Sequence, residues 1–215
     1  MKATRLRFTF VSLVIGFDLD MTLLDTRPGI AAAFRELAAR TGVPVDAELA
    51  ISRLGPPLRQ EMAYWFPPAD IEDAVTLYRS LYPDHAIAPS IRLPGAVDAL
   101  SAVHGEGGKV VVITSKLGRL AELHLAHAGL DVDAVYGDVF AEQKGAVLGT
   151  VGATAMVGDH VADMRGGLAA KVHPIGVATG PCSREDLLAA GAEIVLEDLR
   201  GFAAVLDELL DRTTG

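Results

Sequence analysis

The chain has 215 residues, half of them hydrophobic and 22% charged, which is enough for one substantial packed domain with or without a smaller insert and excludes a disordered chain. Its net charge of -9, with no basic stripe, argues against nucleic acid as a partner. A single cysteine, Cys182, excludes an internal disulfide framework and fits a reducing compartment.

At the N-terminus Lys2, Arg5 and Arg7 precede the apolar run Phe8 to Phe17, a superficial likeness to a signal peptide. No small-residue cleavage site follows, and the run stops on Asp18 and Asp20. It is also well short of the roughly 20 apolar residues that a membrane helix needs. The expectation is a soluble, cytoplasmic protein without a membrane partner.

The stretch Leu13 to Leu24 (LVIGFDLDMTLL) begins as a β-branched apolar run suited to a strand buried in a parallel sheet. Pro28 then opens a helix over Gly29 to Arg40, with Ile30, Phe34 and Leu37 on one face, ended by Gly42 and Pro44. Helical pieces are expected over Pro57 to Trp65 and Ala69 to Tyr82, split by Pro67-Pro68. No strand is evident between Glu36 and Leu81, so this region reads as an all-helical insert. After Pro94, helix and strand alternate. Strands are expected at Lys109 to Thr114, Ala134 to Tyr136, Ala153 to Val157, Pro174 to Ala178 and Glu193 to Leu196. Helices are expected at Gly95 to His104, Leu117 to Ala128, Gly145 to Val151, Val161 to Ala170, Ser183 to Ala190 and Leu199 to Leu210. Repeated βα units with short loops predict a doubly wound parallel α/β sheet with right-handed crossovers.

In such a sheet, ligands sit beyond the carboxyl ends of the strands. There the first strand places Asp18 and Asp20, two carboxylates one residue apart, which repel and lose water unless a divalent cation offsets them. Two further strands run into Thr114-Ser115-Lys116 and into Gly158-Asp159-His160, with Asp163 four residues beyond Asp159. Lys144 lies between them in the loop sequence AEQKG. Acids, a hydroxyl and a lysine at matching strand ends point to a site.

These residues resemble the signature motifs of the haloacid dehalogenase superfamily. Asp18-Leu19-Asp20-Met21-Thr22 resembles the first, Thr114 in VITSK the second, Lys144 the third and VGDHVAD the fourth. Gly55-Pro56-Pro57-Leu58 and the C-terminal GVATGPCSREDLLAAGAEIVLEDL are similar to phosphoglycolate-phosphatase-like members. The resemblance implies a Rossmann-like core over residues 1–26 and 93–215 and a helical cap over residues 27–92. It implies a phosphatase acting on a small phosphorylated metabolite, phosphoglycolate-like, as a monomer or homodimer. Asp18 would be the nucleophile, and Asp20 the general acid and base. Thr114, Ser115 and Lys144 would hold the phosphoryl group. Mg²⁺ would sit on Asp18, Asp159, Asp163 and the backbone carbonyl of Asp20. Arg53 and Arg59 in the cap are candidates for an anionic substrate group, because Arg suits carboxylates.

Met21 departs from the glycine usual at its position and is a candidate to face substrate. Ser115 stands where asparagine is common, and Lys144 lacks the usual following proline. Lys116 reads as a solvated helix-start residue and His160 as a helix-start histidine exposed to solvent or bonding a neighbour. His104, His124, His127 and His173 read as surface or packing positions. Thr22 reads as a loop-geometry residue. A phosphomutase, which usually carries valine where Thr22 stands, and a catalytically silent binding protein are the alternatives.

Overall fold

The computed structural model describes residues 13–214. Lys2, Arg5, Arg7 and the apolar run through residue 12 lie outside the described residues. In chain order the elements begin with β1 (Val14–Phe17), β2 (Leu24–Asp25), α1 (Arg27–Thr41), α2 (Ala47–Ile51), α3 (Leu58–Met62), α4 (Ile71–Ala86) and β3 (Ile91–Arg92). There follow α5 (Ala96–Gly105), β4 (Lys109–Ile113), α6 (Gly118–Ala128), β5 (Ala134–Tyr136), α7 (Glu142–Val151), β6 (Ala155–Gly158) and α8 (Val161–Ala170). The chain continues with β7 (His173–Val177), α9 (Arg184–Ala189), β8 (Ile194–Leu196), a 3-10 turn (Leu199–Gly201) and α10 (Phe202–Thr214).

Among the described residues, six strands form one parallel sheet in the order β5-β4-β1-β6-β7-β8. The first strand is central, its neighbours β4 and β6 lie on either side, and the order reverses there. This is the crevice where an open α/β sheet offers a site. All four residues of β1 are buried, as a strand covered on both faces requires. One face packs on α5, α6 and α10 through Ile15, Phe17, Leu100, Leu125 and Phe202. The Phe17 and Phe202 rings stand 5.3 Å apart. The other face packs on α7 through Val14, Ile113, Leu148 and Met156. Gly16 lets α7 close in, because a Cβ there would stand 2.8 Å from the Leu148 side chain.

Helices α1 to α4 enter and leave through a two-stranded antiparallel ribbon, β2 with β3, pairing Leu24 with Arg92 and Asp25 with Ile91. They enclose their own core, with Ile30, Phe34, Leu37, Met62, Tyr78 and Tyr82 buried and Leu120 of α6 joining from the sheet unit. Helix α4 runs four residues past the expected end at Tyr82, through Pro83. Its apolar stripe of Tyr78, Tyr82 and Ala86 stays buried, which outweighs the backbone bond that proline removes. Helix α2 was not legible from periodicity; Asp46 caps it, its side chain accepting from Leu49 N–H at 3.0 Å. The Ser183–Asp186 capping box on α9 is present as its spacing suggests. No helix among the described residues is long and apolar enough to cross a membrane.

Candidate active site

Because β1, β4 and β6 are parallel and in register, the residues following them emerge at one edge. Asp18 is tied there by its N–H to Val157 O at 2.9 Å. Thr114 follows β4 and Asp159 follows β6, both buried. Oxygens of Asp18, Asp159 and Asp163 all lie within 4.8 Å of one another. Two glycines make room for them. A Cβ at Gly180 would stand 1.8 Å from Asp159 Oδ2, and one at Gly158 would stand 2.2 Å from Asp163 Oδ2.

Lys144 is the cation of this group. It sits in the first turn of α7 rather than in the loop expected from AEQKG, because that helix begins at Glu142. Gly145 and Gly166 allow α7 and α8 to meet closely: a Cβ on Gly166 would lie 2.9 Å from Lys144 Cβ. That contact carries Lys144 Nζ to within 2.6 Å of Asp163 Oδ1 and 3.0 Å of Asp18 Oδ1. The Asp18 contact is an ion pair without hydrogen-bond geometry, so Asp18 Oδ1 is buried without a hydrogen bond.

Burial sets the electrostatics of the cluster. It pushes Asp18 up to about 6 despite Lys144, with the Asp163 and Asp20 charges adding to the rise. Burial followed by the Asp18 and Asp163 charges pushes Asp159 well above the usual carboxylate range, although the Thr22 hydroxyl donates to its Oδ1 at 2.7 Å. Burial also opposes the Lys144 charge, yet Asp163 and Asp18 outweigh it and hold the ammonium firmly protonated. Three acids facing one lysine leave a buried site short of positive charge, and Asp18 Oδ1 has the Lys144 ion pair but no hydrogen bond. That donor set fits a hard divalent cation.

Asp20 points elsewhere. Its Oδ1 accepts from Thr26 Oγ1 at 2.5 Å and stands 3.1 Å from Lys116 Nζ. Burial raises its proton affinity, but Lys116, His124 and the Thr26 hydroxyl together reverse this, leaving Asp20 below the ordinary range and ionised at rest. Lys116 is therefore not the solvated residue expected. Its side chain is 8% exposed, and it also donates to Tyr82 Oη at 2.6 Å. The chain of contacts continues from Tyr82 Oη to His124 Nε2 at 3.0 Å, and from His124 Nδ1 to Ser90 Oγ at 3.0 Å. Ser90 spends its proton on Ile87 O, so it accepts from His124 Nδ1–H; Nε2 then accepts from Tyr82. His124 is thus a buried packing residue, and burial, with Lys116 adding, pulls it down to about 4.

The other sequence candidates divide. Thr114 is buried with its Oγ1 accepting from Lys116 N–H at 3.2 Å, and Ser115 Oγ donates to Gly55 O at 2.9 Å, joining the sheet edge to the helical insert. His160 precedes α8, its Nδ1 accepting from Ala162 N–H at 3.1 Å, and its ring fills the space beside Gly55. Met21 has φ 60°, the left-handed region that favours glycine, which accounts for the usual glycine there. Thr179 Oγ1 to Met21 O at 2.5 Å and Met21 N–H to Leu24 O at 2.8 Å hold it. Met21 is 1% exposed and borders a separate recess with Arg27 and Gly180, so it does not face the cavity over Asp18.

That cavity, of about 90 Å³, runs from Asp18 and Asp20 past Ser115 and Lys116 to the insert. Arg53 lines it, with Nε and Nη2 donating to Glu61 at 3.1 and 2.5 Å and its guanidinium 4.2 Å from the Tyr64 ring. Arg59 does not: it is an exposed residue paired with Glu72 on α4, since α3 turns it outward. Sequence reading missed Tyr78, Tyr82 and Arg79, which also line the cavity. The i, i+4 spacing of the two tyrosines was the available signal.

Comparison with known proteins gives a consistent result. The family model described as haloacid dehalogenase-like hydrolase matches residues 15–180. The chain is 31% identical to a probable phosphatase, IndB, of Dickeya dadantii, over 84% of this chain and 87% of that protein. It is also 31% identical to a phosphoglycolate phosphatase of Caulobacter vibrioides, over 85% of each. Among solved structures, a haloacid dehalogenase-like family hydrolase of Streptococcus pneumoniae superposes with a TM-score of 0.80 at 24% identity, covering 91% of this chain and 99% of that one.

Proposed function

Since the chain belongs to the haloacid dehalogenase-like hydrolase family, we propose that it hydrolyses a small phosphomonoester at the edge carrying Asp18, with residues 27–92 as a cap over the cavity. The observation that carries this reading is the buried Lys144 between Asp18 and Asp163, beside an Asp18 oxygen without a hydrogen bond. Phosphoglycolate is the substrate the sequence resemblance suggests.

Asp18 attacks phosphorus, the bond from phosphorus to the leaving alcohol breaks, and an aspartyl-phosphate forms. Asp20 supplies the proton to the leaving oxygen. It is a carboxylate at rest, and the negative phosphate arriving beside it raises its proton affinity so that it can carry that proton. Having given it up, Asp20 takes a proton from the water that then attacks phosphorus, releasing phosphate and restoring Asp18. Thr114, the backbone at Ser115 and Lys144 hold the phosphoryl oxygens. Asp18, Asp159, Asp163 and the Asp20 carbonyl would hold Mg²⁺, which supplies charge neutralisation that lets a carboxylate approach a phosphate.

Phosphate release from a panel of small phosphate esters tests this. Release is expected to need Mg²⁺, to stop with EDTA, and to fall at least 1,000-fold in Asp18→Asn, since a nucleophile's removal costs on that order. Undiminished release by Asp18→Asn would reject the mechanism.

A further inference from the structure

The cavity beyond Asp18 has a chemistry of its own. Ile30, Phe34, Leu54, Leu58, Leu117 and Leu120 supply apolar walls. Each of its three cations already has a carboxylate partner: Arg53 with Glu61, Arg79 with Asp138 at 3.1 Å, and Lys116 with Asp20. Glu61 is saturated in turn, accepting from Arg53 twice and from Trp65 Nε1 at 2.8 Å. A carboxylate brought in with the substrate would lose water against apolar side chains and meet only cations already neutralised. Among the neutral polar side chains that line it, one is uncommitted. The Tyr78 ring is fixed against Phe34 and Tyr82, at 4.7 and 5.5 Å, yet its hydroxyl makes no hydrogen bond among the described residues, although the residue lines the cavity.

We propose that this cavity receives an uncharged, largely apolar leaving-group alcohol bearing a hydroxyl or carbonyl oxygen that Tyr78 Oη meets. The proposal rests on the hydrolase reading above and turns it away from phosphoglycolate, whose second anionic group this cavity does not serve. A pocket that hydrogen-bonds a substrate oxygen discriminates sharply by leaving that partner unpaired in its absence.

The test measures kcat/KM with Mg²⁺ for 2-hydroxyethyl phosphate, benzyl phosphate and phosphoglycolate, with acetyl phosphate as a small activated control. The first and third share a two-carbon skeleton and differ in carboxylate against hydroxymethyl. The expected result is at least a tenfold advantage of 2-hydroxyethyl and benzyl phosphate over phosphoglycolate. Tyr78→Phe is expected to raise KM for 2-hydroxyethyl phosphate threefold or more, and by less for benzyl phosphate, which has no second oxygen. Phosphoglycolate turned over as well as its hydroxyl counterpart, or a Tyr78→Phe effect equal for both esters, overturns the proposal while leaving the hydrolase reading intact. No phosphate from acetyl phosphate or any ester overturns both.

Discussion

Two buried polar regions meet at Asp18 and Asp20, and they handle charge in opposite ways. The sheet edge gathers Asp18, Asp159 and Asp163 around one lysine and leaves Asp18 Oδ1 buried without a hydrogen bond. The seam between α4 and α6 threads Asp20, Lys116, Tyr82, His124 and Ser90 so that each donor has an acceptor. Their pH responses oppose each other. Asp18 is raised from 3.8 to about 6 on folding, so the folded chain holds the extra proton and this group's stability is lost as pH rises from 4 to 6. His124 falls from 6.5 to about 4, so here the unfolded chain holds the extra proton, and stability is lost as pH drops from 6.5 to 4. The comparison separates a region left short of positive charge, as a site for a cation and a phosphate must be, from one completed by folding alone.

Between the two regions, the largest effect is expected from Lys144→Met. It removes the cation that Asp18 and Asp163 share, and kcat/KM should fall about 100-fold to 1,000-fold, the cost of losing one preorganised oxyanion donor. Breaking a buried pair also costs about 3–5 kcal/mol, so thermal melting and turnover should be measured together. A melting point unchanged alongside full activity would remove Lys144 from the site.

Lys116→Met acts on Asp20 instead. Without its nearest cation Asp20 should hold its proton to higher pH, moving the alkaline limb of the kcat/KM profile, which the general acid governs, upward. A profile that keeps its alkaline limb in place would mean that Asp20 does not govern it.

Cation binding is expected to distinguish the two regions without mutation. At pH 7.5 Asp18 has lost its extra proton, and Mg²⁺ at about 100 times its Kd should stabilise the fold by about 2.7 kcal/mol. At pH 5 protons compete for the same oxygens and the gain in Tm should shrink severalfold. An equal Tm gain at both pH values would locate the cation elsewhere.

Much of this was legible in the sequence and some was not, for definite reasons. The β1 edge was readable because a buried strand ending on two acids is a local pattern, and parallel order follows from βα alternation. Lys144 was found by its place in the chain and its helix was expected from Gly145, but the first turn from Glu142 that carries Lys144 was not, nor the close approach of α7 to α8, which depends on Gly145 and Gly166 acting across the fold. Lys116 and His124 were read as solvent-facing and as scattered surface or packing positions, because the burial that defines them comes from α4, more than 30 residues away in sequence. The β2–β3 ribbon, two residues a strand, is too short to carry a period.

The smallest effect expected is Tyr82→Phe. It keeps the ring that packs against Tyr78 and removes only the hydroxyl, which donates to His124 Nε2 and accepts from Lys116. A buried acceptor left without its donor costs about 1–3 kcal/mol, and Tm should fall by about 2–4 °C for each of those in a chain of this size. His124 also loses the partner that favoured its neutral form at Nε2, so it should titrate at higher pH than in the parent, and the loss of stability on acidification should narrow toward 6.5. Nitrogen shifts of the His124 ring across pH 4 to 7 read this directly. The parent should show the proton on Nδ1 throughout most of that window, and Tyr82→Phe should move the midpoint upward. A proton found on Nε2 in the parent would reverse the chain of donors from Lys116 to Ser90, and with it the account of why this seam, unlike the acid cluster, needs nothing added to be complete.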